Sequence, residues 1–352
     1  MKQPCPYQQA LDLEWTAILD ISLATVAERA GVSVSTVSRI VNGETRRASP
    51  ETVARVLRAV EEVGYRPNSV GRALRTRQSQ VVAMLVANLD NPVMATIASS
   101  TEAALRNAGY VMILCDTHDR ADLQDEYLEA MRSQLVCGFV LVAAVPSRVL
   151  SKLCHERAPL VFVTRRSPHG VGAFVGIDDR AAGAAVAECF VSDKRQRLGV
   201  VLPVHSSPAA KARVAGFADR LAELGVDPRT VRHEMGEGTS HLDVGYDAAH
   251  RIFEAGPVHD ALFCLSDQIA YGVHRRARER GIEIPEACSL ISIDGSPLNA
   301  WIAPWLCSIQ IPYANYGEEI VSSLKCVTAE ETAEDRILPI QMASYYGPIA
   351  KD

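Results

Sequence analysis

The sequence predicts a small all-α head followed by a larger α/β body, and three observations carry this prediction. Residues 22–64 contain three short stretches whose apolar side chains recur with helical spacing. Beyond Gln80, short apolar runs alternate with helical stretches of about 12–18 residues, a pattern typical of strand-helix-strand units and parallel sheets. The charge divides at the same place, because residues 22–79 carry a net +5 and residues 80–352 a net −9.

Length and composition set the broad class. With 352 residues, 48% of them hydrophobic and 22% charged, the chain has enough apolar material for two or three globular domains and too much for a disordered protein. Nine cysteines occur without a Cys-x-x-Cys pair or Cys/His ligand spacing, which favours reduced thiols and predicts no metal site. No apolar run approaches about 18 residues, so no membrane span is expected.

Residues 1–21 do not fit the pattern that follows them. We interpret them as an N-terminal extension, either poorly ordered or produced by a start codon assigned too early. They lack a continuous apolar core followed by a small-residue cleavage site, so export is not expected and the predicted location is the cytoplasm.

The first two predicted helices form a helix-turn-helix unit. Gly31 ends the first helix, because glycine readily adopts the left-handed conformation found at helix ends. After the tight turn, Ser33 can cap the second helix, which ends at Asn42-Gly43. The apolar faces are formed by Leu23, Val26, Ala27 and Ala30 in the first helix and by Val37, Ile40 and Val41 in the second.

A third helix completes the head. Ser49-Pro50 is a strong start signal, since serine caps helices and proline favours the first helical position. Its apolar stripe ends at Gly64 and consists of Val53, Val56, Leu57, Val60 and Val63. Residues 68–80 then form a polar, basic segment that is too short to hold its own core, and they are predicted to be a hinge that can become helical on binding.

The body contains seven predicted strands and at least four predicted helices. The strands are Val81–Ala87, Val111–Cys115, Gly138–Val142, Leu160–Val163, Leu198–Leu202, Ala261–Leu265 and Leu290–Ile293. The helices are Met94–Asn107, Ala182–Val191, Ala210–Leu224 and Ile269–Arg280.

The run from Ala24 to Gly43, with Ser49-Pro50-Glu51-Thr52 and Gly64-Tyr-Arg-Pro-Asn68, resembles the DNA-binding head of the lactose-repressor (LacI/GalR) family of bacterial transcription regulators. The resemblance covers roughly residues 22–346. It continues in Asn91-Pro92, Gly176-Ile-Asp178, Arg213-Val-Ala-Gly-Phe217, Ser266-Asp267-Gln268 and Ile291-Ser-Ile-Asp294.

The resemblance implies a body similar to periplasmic binding proteins, with two Rossmann-like α/β subdomains joined by three crossings around a ligand cleft. The implied domains are the helix-turn-helix head (22–67), the hinge (68–80), an N-terminal subdomain (81–177 and 311–325), a C-terminal subdomain (178–310 and 326–346) and a tail (347–352).

The second helix is the expected DNA reader. A recognition helix places its N-terminal residues against base edges in the major groove, so Val34, Ser35 and Ser38 are expected to lie closest to the bases. Thr36 can donate to a phosphate, and Arg39 is long enough to reach a base or a phosphate. The resemblance assigns base reading to Val34, Ser35 and Arg39 and backbone contact to Asn42, and Ser22 is also expected at the DNA. The alternative is that the serines only cap and solvate a small helix.

The hinge carries an apolar side chain in a basic setting. Leu74 lies between Arg72 and Arg75, and minor-groove proteins insert such apolar wedges between base steps while arginines neutralise phosphates. The family resemblance implies the same role for Leu74. A plain tether would have a similar composition.

Effector contacts are expected where polar residues follow predicted strands, because ligands of open α/β sheets bind at the carboxyl ends of strands. Thr164, Arg165, Asp267 and Asp294 come just after predicted strands, and the further candidates are Asn91, Pro92, Thr117, Arg213 and Tyr313. Among them, the resemblance implies an effector-gripping role for Arg213, and for Asp267 and Asp294 either contact with effector hydroxyls or support of the residues that make it. The alternatives are that Arg213 pairs with an acid on a helix surface, that Asp267 caps a helix, and that Tyr313 belongs to the core.

Three departures from the family pattern bear on the ligand. Thr164-Arg165, Ser266-Asp267 and Asp294-Gly295 stand where Asp-Arg, Asn-Asp and Asp-Asp are common. Loss of carboxylates with retention of Arg165 and Arg213 favours an anion over a neutral polyol, and the hypothesis is a sugar acid or another small carboxylate.

The sequence therefore predicts a homodimeric, ligand-responsive transcription regulator, a repressor of pseudopalindromic operators, without cofactor. One helix-turn-helix unit buries little DNA, so two copies are expected to read two half-sites. No heptad tail follows residue 345, so a coiled-coil tetramer is not expected. A solute-binding protein with an acquired head and an enzyme using Asp267 and Asp294 are the rivals, and no nucleophile elbow, phosphate loop or metal spacing supports the enzyme.

Overall fold

The structure is a computed structural model, which describes residues 22–65, 79–254 and 259–344. The head contains three helices, α1 (Leu23–Ala30), α2 (Val34–Val41) and α3 (Pro50–Val63). Their apolar faces meet in one small core, whose buried members are Val26, Ala27, Ala30, Val37, Ile40, Val56 and Ala59.

The helix ends of the head follow the sequence signals. The side chains of Ser22, Ser33 and Ser49 each accept the backbone N–H three residues on, as N-caps of α1, α2 and α3. Gly31 and Gly64 end α1 and α3 in the left-handed conformation, with φ of 63° and 68°. The predicted helix-turn-helix is therefore present with its predicted boundaries.

The first subdomain of the body is a six-stranded sheet covered by helices. Its elements are β1 (Val81–Val86), α4 (Pro92–Asn107), β2 (Val111–Asp116), α5 (Ala121–Ser133), β3 (Gly138–Val142), α6 (Arg148–His155), β4 (Leu160–Val163), β5 (Ala173–Gly176), α12 (Tyr316–Thr328) and β11 (Arg336–Ile337). The strand order is β11-β5-β4-β3-β1-β2, and all neighbours are parallel. The inner strands are buried on both faces, which explains their continuous apolar sequences.

The second subdomain repeats this architecture. It contains α7 (Asp179–Ser192), β6 (Leu198–Pro203), α8 (Pro208–Glu223), β7 (Arg232–Gly236), α9 (His241–Glu254), β8 (Ala261–Cys264), α10 (Asp267–Glu279), β9 (Ser289–Asp294), α11 (Asn299–Ile302), β10 (Cys307–Gln310) and β12 (Gln341–Ser344). The order is β12-β10-β9-β8-β6-β7, parallel except for the antiparallel β10–β12 pair at the edge.

The chain crosses between the two sheets three times, and the last crossing corrects a predicted boundary. The first two crossings lie between β5 and α7 and between β10 and α12, close to the predicted positions. The third was predicted at residues 325/326. Instead, α12 continues to Thr328 against the first sheet, and β11 pairs with β5 before the chain reaches β12 in the second sheet. The crossing therefore lies between Ile337 and Gln341.

All seven predicted strands of the body are present, and the four predicted helices are present within a few residues. Sequence reasoning missed β5, β7, β10, β11 and β12. In the part of the chain that the structure describes, no helix is long and apolar enough to cross a bilayer. Across the same residues, no group of three or more His, Cys, Asp or Glu side chains is placed to hold a metal ion.

Candidate functional site

The recognition helix α2 presents short side chains at its N-terminal end. Val37 and Ile40 face the head core, whereas Val34 and Ser35 are exposed, Val34 with 47% of its surface accessible. Five exposed arginines on the described part of the head add positive charge, and they are Arg29, Arg46, Arg47, Arg55 and Arg58.

Hydrogen bonds within α2 hold its longer polar side chains along the helix. Arg39 donates its Nε–H to the Ser35 carbonyl at 3.1 Å, and Asn42 donates from Nδ2 to the Ser38 carbonyl at 2.6 Å. Thr36 lies 2.8 Å from the Ser33 hydroxyl. These side chains are ordered by the helix itself, which lowers the entropy that a later contact would cost.

A cleft of about 1060 Å³ lies in the body and is lined by residues of both subdomains. The first subdomain contributes the segments after β1, β2, β3 and β4, and the second contributes the segments after β6, β7, β8 and β9. All these segments follow the carboxyl ends of parallel strands, the edge at which open α/β sheets bind ligands.

Arg213 is fixed in the cleft by two bonds. Its Nε–H donates to Asp179 Oδ1 at 2.8 Å, and its Nη1 donates to the Leu265 carbonyl at 3.0 Å. Both members of the ion pair are largely buried, with side chains 15% and 14% exposed. The pair joins α8 to the start of α7 and to the end of β8, so the guanidinium is held in place before a ligand arrives.

Arg165 is fixed in a similar way on the other subdomain. Its Nη1 donates to Asp119 Oδ1 at 2.8 Å and to the Ala143 carbonyl at 3.1 Å. The bond to Asp119 connects the segment after β4 with the segment after β2. Each of the two cleft arginines therefore has a carboxylate partner of its own.

Asp294 ends β9 in the cleft wall and accepts a hydrogen bond from the Tyr313 hydroxyl at 3.0 Å. Burial raises the pKa of Asp294 to about 7, and the nearby Asp267 carboxylate adds to this rise, while Arg213 and Tyr313 oppose it. Near neutral pH the cleft therefore contains a carboxyl group that can accept or release a proton.

His241 begins α9 and lies 2.9 Å from the Ser266 hydroxyl through Nδ1. Burial lowers the pKa of His241, and the positive charges of Arg213 and Arg165 lower it further. The imidazole is therefore neutral at pH 7, and it adds a hydrogen-bonding group without adding charge to the cleft.

Several residues that end strands at the cleft adopt positive φ although they are not glycine. Ala143, Thr164 and Asp294 have φ of 60°, 63° and 139°. Such conformations cost on the order of 1 kcal/mol or more each and cluster at functional sites. Here they turn the chain sharply, so that the following residues lie along the cleft.

Six of the nine predicted effector residues line the cleft, namely Asn91, Thr164, Arg165, Arg213, Asp294 and Tyr313. Of the predicted DNA-binding residues of the head, Ser22 is the N-cap of α1, and the others lie in α2 or at its C-terminal end, namely Val34, Ser35, Thr36, Ser38, Arg39 and Asn42. The other three, Arg72, Leu74 and Arg75, lie outside the described residues.

Three predicted effector residues are not part of the cleft lining, and each has another structural role. Pro92 is the first residue of α4, and its neighbours Asn91 and Val93 line the cleft instead. Thr117 is buried and donates its hydroxyl to the Val86 carbonyl at 3.1 Å. Asp267 lies behind the wall with only 2% of its surface exposed, where donors from β9, β10 and α11 surround it.

Sequence reasoning missed the partners of the cleft arginines. Asp119 and Asp179 were not singled out, and neither was His241. Asp179 follows β5, a strand that was not predicted, although the Gly176-Ile-Asp178 run lies beside it. Asp119 could have been found as a polar residue just beyond the predicted strand that ends at Cys115.

Comparison with known protein families agrees with this two-part architecture. Residues 22–68 match the family described as bacterial regulatory proteins, lacI family, and residues 79–346 match the periplasmic binding proteins and sugar binding domain of the LacI family. The chain belongs to the LacI family. It is a transcription regulator of that family, with a DNA-binding helix-turn-helix head and an effector-binding body.

Curated relatives of this LacI-family chain are named as regulators. The HTH-type transcriptional repressor PurR of Pectobacterium atrosepticum is 29% identical over 307 residues, covering 86% of this chain and 89% of the relative. An uncharacterized HTH-type transcriptional regulator in the aml 5′ region of Streptomyces limosus is 30% identical over 321 residues, covering 89% of both chains.

Among solved structures, the Lac repressor dimer bound to operator and the anti-inducer ONPF is similar in fold. It superposes with a TM-score of 0.80 at 21% identity, covering 92% of this chain and 97% of that one. At this identity the likeness establishes the fold of the LacI-family chain and no more.

Proposed function

We propose that this LacI-family regulator is a homodimeric repressor that binds a pseudopalindromic operator, and that a small metabolite in the cleft controls its operator affinity. The observation that carries the proposal is the exposed N-terminal end of α2, the second helix of a helix-turn-helix, where Val34 and Ser35 face solvent while Val37 and Ile40 pack in the head core. A chromosomal operator places the protein in the cytoplasm, on the nucleoid when it is bound.

Within the head, Val34, Ser35 and Arg39 read base edges, and Ser22, Thr36, Ser38 and Asn42 contact or support contact with the DNA backbone. A recognition helix reads bases with its first turns, and α2 begins at Val34. In the hinge, Leu74 enters the minor groove as a wedge, and Arg72 and Arg75 neutralise phosphates.

A second copy of the chain covers an apolar surface on the second subdomain. This surface, the α11 face, consists of Leu298, Trp301 and Ile302, which are 50%, 77% and 60% exposed. Three adjacent large apolar side chains in solvent mark an interaction site. The occupant is a second copy, because two half-sites require two heads, and the structurally similar Lac repressor is a dimer on its operator.

The effector is a hydroxyl-rich metabolite, a sugar or a sugar acid. The cleft offers guanidinium, carboxyl, imidazole and amide groups, which can bind several hydroxyls at once. Arg165 and Arg213 supply the positive charge that a sugar acid would require. Their pairing with Asp119 and Asp179 also allows a neutral sugar, because the pairs leave no unbalanced charge there.

Two experiments test the proposal. DNase I footprinting on the native chromosome should show protection over about two helical turns, with enhanced cleavage at the centre where the hinge segments bend the DNA. Absence of any protected site would contradict the DNA-binding function.

Isothermal titration tests the effector class with two matched pairs of ligands, glucose against glucuronate and galactose against galacturonate. Binding of only the neutral sugars would reject the acid, and binding of none of these four would remove the support for this sugar class.

A further inference from the structure

One buried carboxylate, that of Asp267, connects the cleft wall to the α11 face. Both of its oxygens are saturated with donors. Oδ1 accepts from the hydroxyls of Ser292 at 2.5 Å and Ser308 at 2.7 Å. Oδ2 accepts from the Ser296 backbone N–H at 2.7 Å and from Asn299 Nδ2 at 2.9 Å.

The Oδ1 side leads to the cleft. Ser308 Oγ, which donates to Asp267, also accepts the backbone N–H of Gly295 at 3.1 Å. Gly295 directly follows Asp294, which lines the cleft and is bonded to Tyr313. The cleft wall is therefore two hydrogen bonds away from the Asp267 carboxylate.

The Oδ2 side leads to the α11 face. Asn299 is completely buried and is the first residue of α11, and its Oδ1 accepts the Tyr271 hydroxyl at 2.5 Å. The exposed Leu298 and Trp301 lie one and two residues from it. Because α11 is only a single turn, the bonds of Asn299 determine where this turn lies.

We infer that Asp267 is a positioning residue that couples the effector cleft to the dimer surface. Its two oxygens hold the end of β9, with Gly295 directly after it, and the start of α11 at a fixed distance from each other. A displacement of the cleft wall therefore shifts the α11 face. This inference rests on the proposed roles of the cleft as effector site and of α11 as dimer surface.

Burial makes the connection stiff. Water cannot replace a lost donor around a carboxylate that is 2% exposed, so the four donors and the carboxylate move together or leave a buried polar group unsatisfied. A purely structural residue would also be buried and fully bonded. It would not, however, make the effect of a change at the cleft on dimerisation depend on its own presence.

A double-mutant cycle on the full chain separates the two roles. Tyr313→Phe removes the hydroxyl that is bonded to Asp294 at the cleft. Asp267→Asn replaces one carboxylate oxygen of Asp267 by an amide group, which donates instead of accepting. The dimer dissociation constant is measured by sedimentation velocity for the wild type, both single variants and the double variant. Tyr313→Phe should weaken the dimer about threefold to tenfold with Asp267 present and by less than about 1.5-fold in the Asp267→Asn background.

Equal effects of Tyr313→Phe in both backgrounds, or no effect in either, would overturn the inference. Tyr246→Phe is the matched control, because it also removes a hydrogen bond between a tyrosine and a carboxylate in this subdomain. That bond, from Tyr246 to Glu279 at 2.6 Å, does not involve Asp267 or its donors. It should leave the dissociation constant unchanged. If Asp267→Asn does not fold, Ser308→Ala breaks the Oδ1 side alone and replaces it in the cycle.

Hydrogen exchange distinguishes failure of the inference from failure of the proposed dimer surface. If Trp301→Glu leaves the dimer intact, α11 is not the interface. The double-mutant cycle is then repeated with the hydrogen-exchange rates of the Trp301–Ala303 amides in place of the dimer dissociation constant. Tyr313→Phe should accelerate this exchange several-fold only when Asp267 is present. Acceleration that is the same in the Asp267→Asn background would again overturn the coupling.

Discussion

Arg213 and Asp179 form an ion pair with a 2.8 Å Nε–Oδ1 distance in the cleft, and both side chains are at least 85% shielded from solvent. Elsewhere in the described chain, Arg180 pairs with Asp219 while both are more than half exposed. A buried pair and an exposed pair of the same chemistry thus occur on the same helices, α7 and α8.

Replacement of Arg213 by alanine should destabilise the body as well as abolish effector binding. It leaves the Asp179 carboxylate buried without its partner and removes a donor to the Leu265 carbonyl, and breaking a buried pair in this way costs about 3–5 kcal/mol. Urea unfolding of the full chain measures this loss. Arg213→Lys should recover part of the stability, because it keeps the charge but not both bonds.

Arg180→Ala is the control for this experiment. Exposed ion pairs contribute about 0–1 kcal/mol, so this variant should unfold at nearly the wild-type urea concentration. A loss of stability as large as that of Arg213→Ala would show that the difference in burial between the two pairs does not matter.

The raised pKa of Asp294 predicts that the stability of the folded chain depends on pH. Its pKa in the folded protein is about 7, against 3.8 for an unperturbed aspartate. The folded chain therefore binds more protons than the unfolded chain between these values, and stability falls as the pH rises from about 4 to about 7. At about 1.4 kcal/mol per pKa unit, the fall contributed by this residue is up to about 4 kcal/mol.

Asp294→Asn isolates this contribution, because the amide resembles the protonated acid. Compared with wild type, the variant should be more stable at pH 8, and the difference should shrink toward pH 5. Urea unfolding at pH 5, 6.5 and 8 measures the difference, and the histidines cancel because both proteins contain them. A difference that is constant with pH would mean that Asp294 does not titrate in this range.

Arg39→Ala should weaken operator binding by about 10-fold to 100-fold without unfolding the head, since a base contact contributes about 1–3 kcal/mol. Arg39 is bonded only to the carbonyl of its own helix among the contacts described, so its loss leaves the core intact. Fluorescence anisotropy with operator and scrambled duplexes separates base reading from charge. Arg29→Ala removes a charge of α1 that is paired with Glu62 of α3, and it should change the operator affinity less than threefold.

The sequence predicted the inner strands and the head correctly for two different physical reasons. β1, β3 and β4 are buried on both faces, so they appear as continuous apolar runs, and Gly31 and Gly64 mark helix ends by their conformation. The edge strand β7 has the sequence Arg-His-Glu-Met-Gly and is largely exposed, so it carries no apolar signal. The third crossing was misplaced because β11 has only two residues.

The cleft was predictable where polar residues directly follow inner strands, as Thr164, Arg165 and Asp294 do. Whether such a side chain lines the cleft or is buried behind its wall was not predictable. Asp267 stands at the same kind of position but is turned behind the wall, where serine hydroxyls of two strands converge on it. Such a convergence depends on strand register, which a single sequence does not specify.

Leu74→Ala should weaken operator binding and reduce DNA bending together, because a wedge stabilises the kink that brings further protein surface onto the DNA. Leu74 lies outside the described residues, so this prediction rests on the sequence. Anisotropy measures affinity, and circular permutation of the site in a gel assay measures bending. Val70→Ala, an apolar truncation in the same segment, is the control. Unchanged binding and bending in Leu74→Ala would rule out the wedge.

Trp301→Glu should dissociate the dimer. Trp301 is 77% exposed in the monomer, and with Leu298 and Ile302 it forms the apolar α11 face that we assign to a second copy. A tryptophan at the centre of an interface commonly contributes 2 kcal/mol or more, and a buried unpaired carboxylate adds to the loss, so the dimer dissociation constant should rise at least about 100-fold. Sedimentation velocity measures this constant, and operator affinity should fall in parallel because one head reads one half-site.

Leu135→Glu is the control, because it places the same charge on an exposed apolar residue of the first subdomain and should leave the dimer intact. If Leu135→Glu rather than Trp301→Glu produced monomers, the dimer surface would lie on the first subdomain.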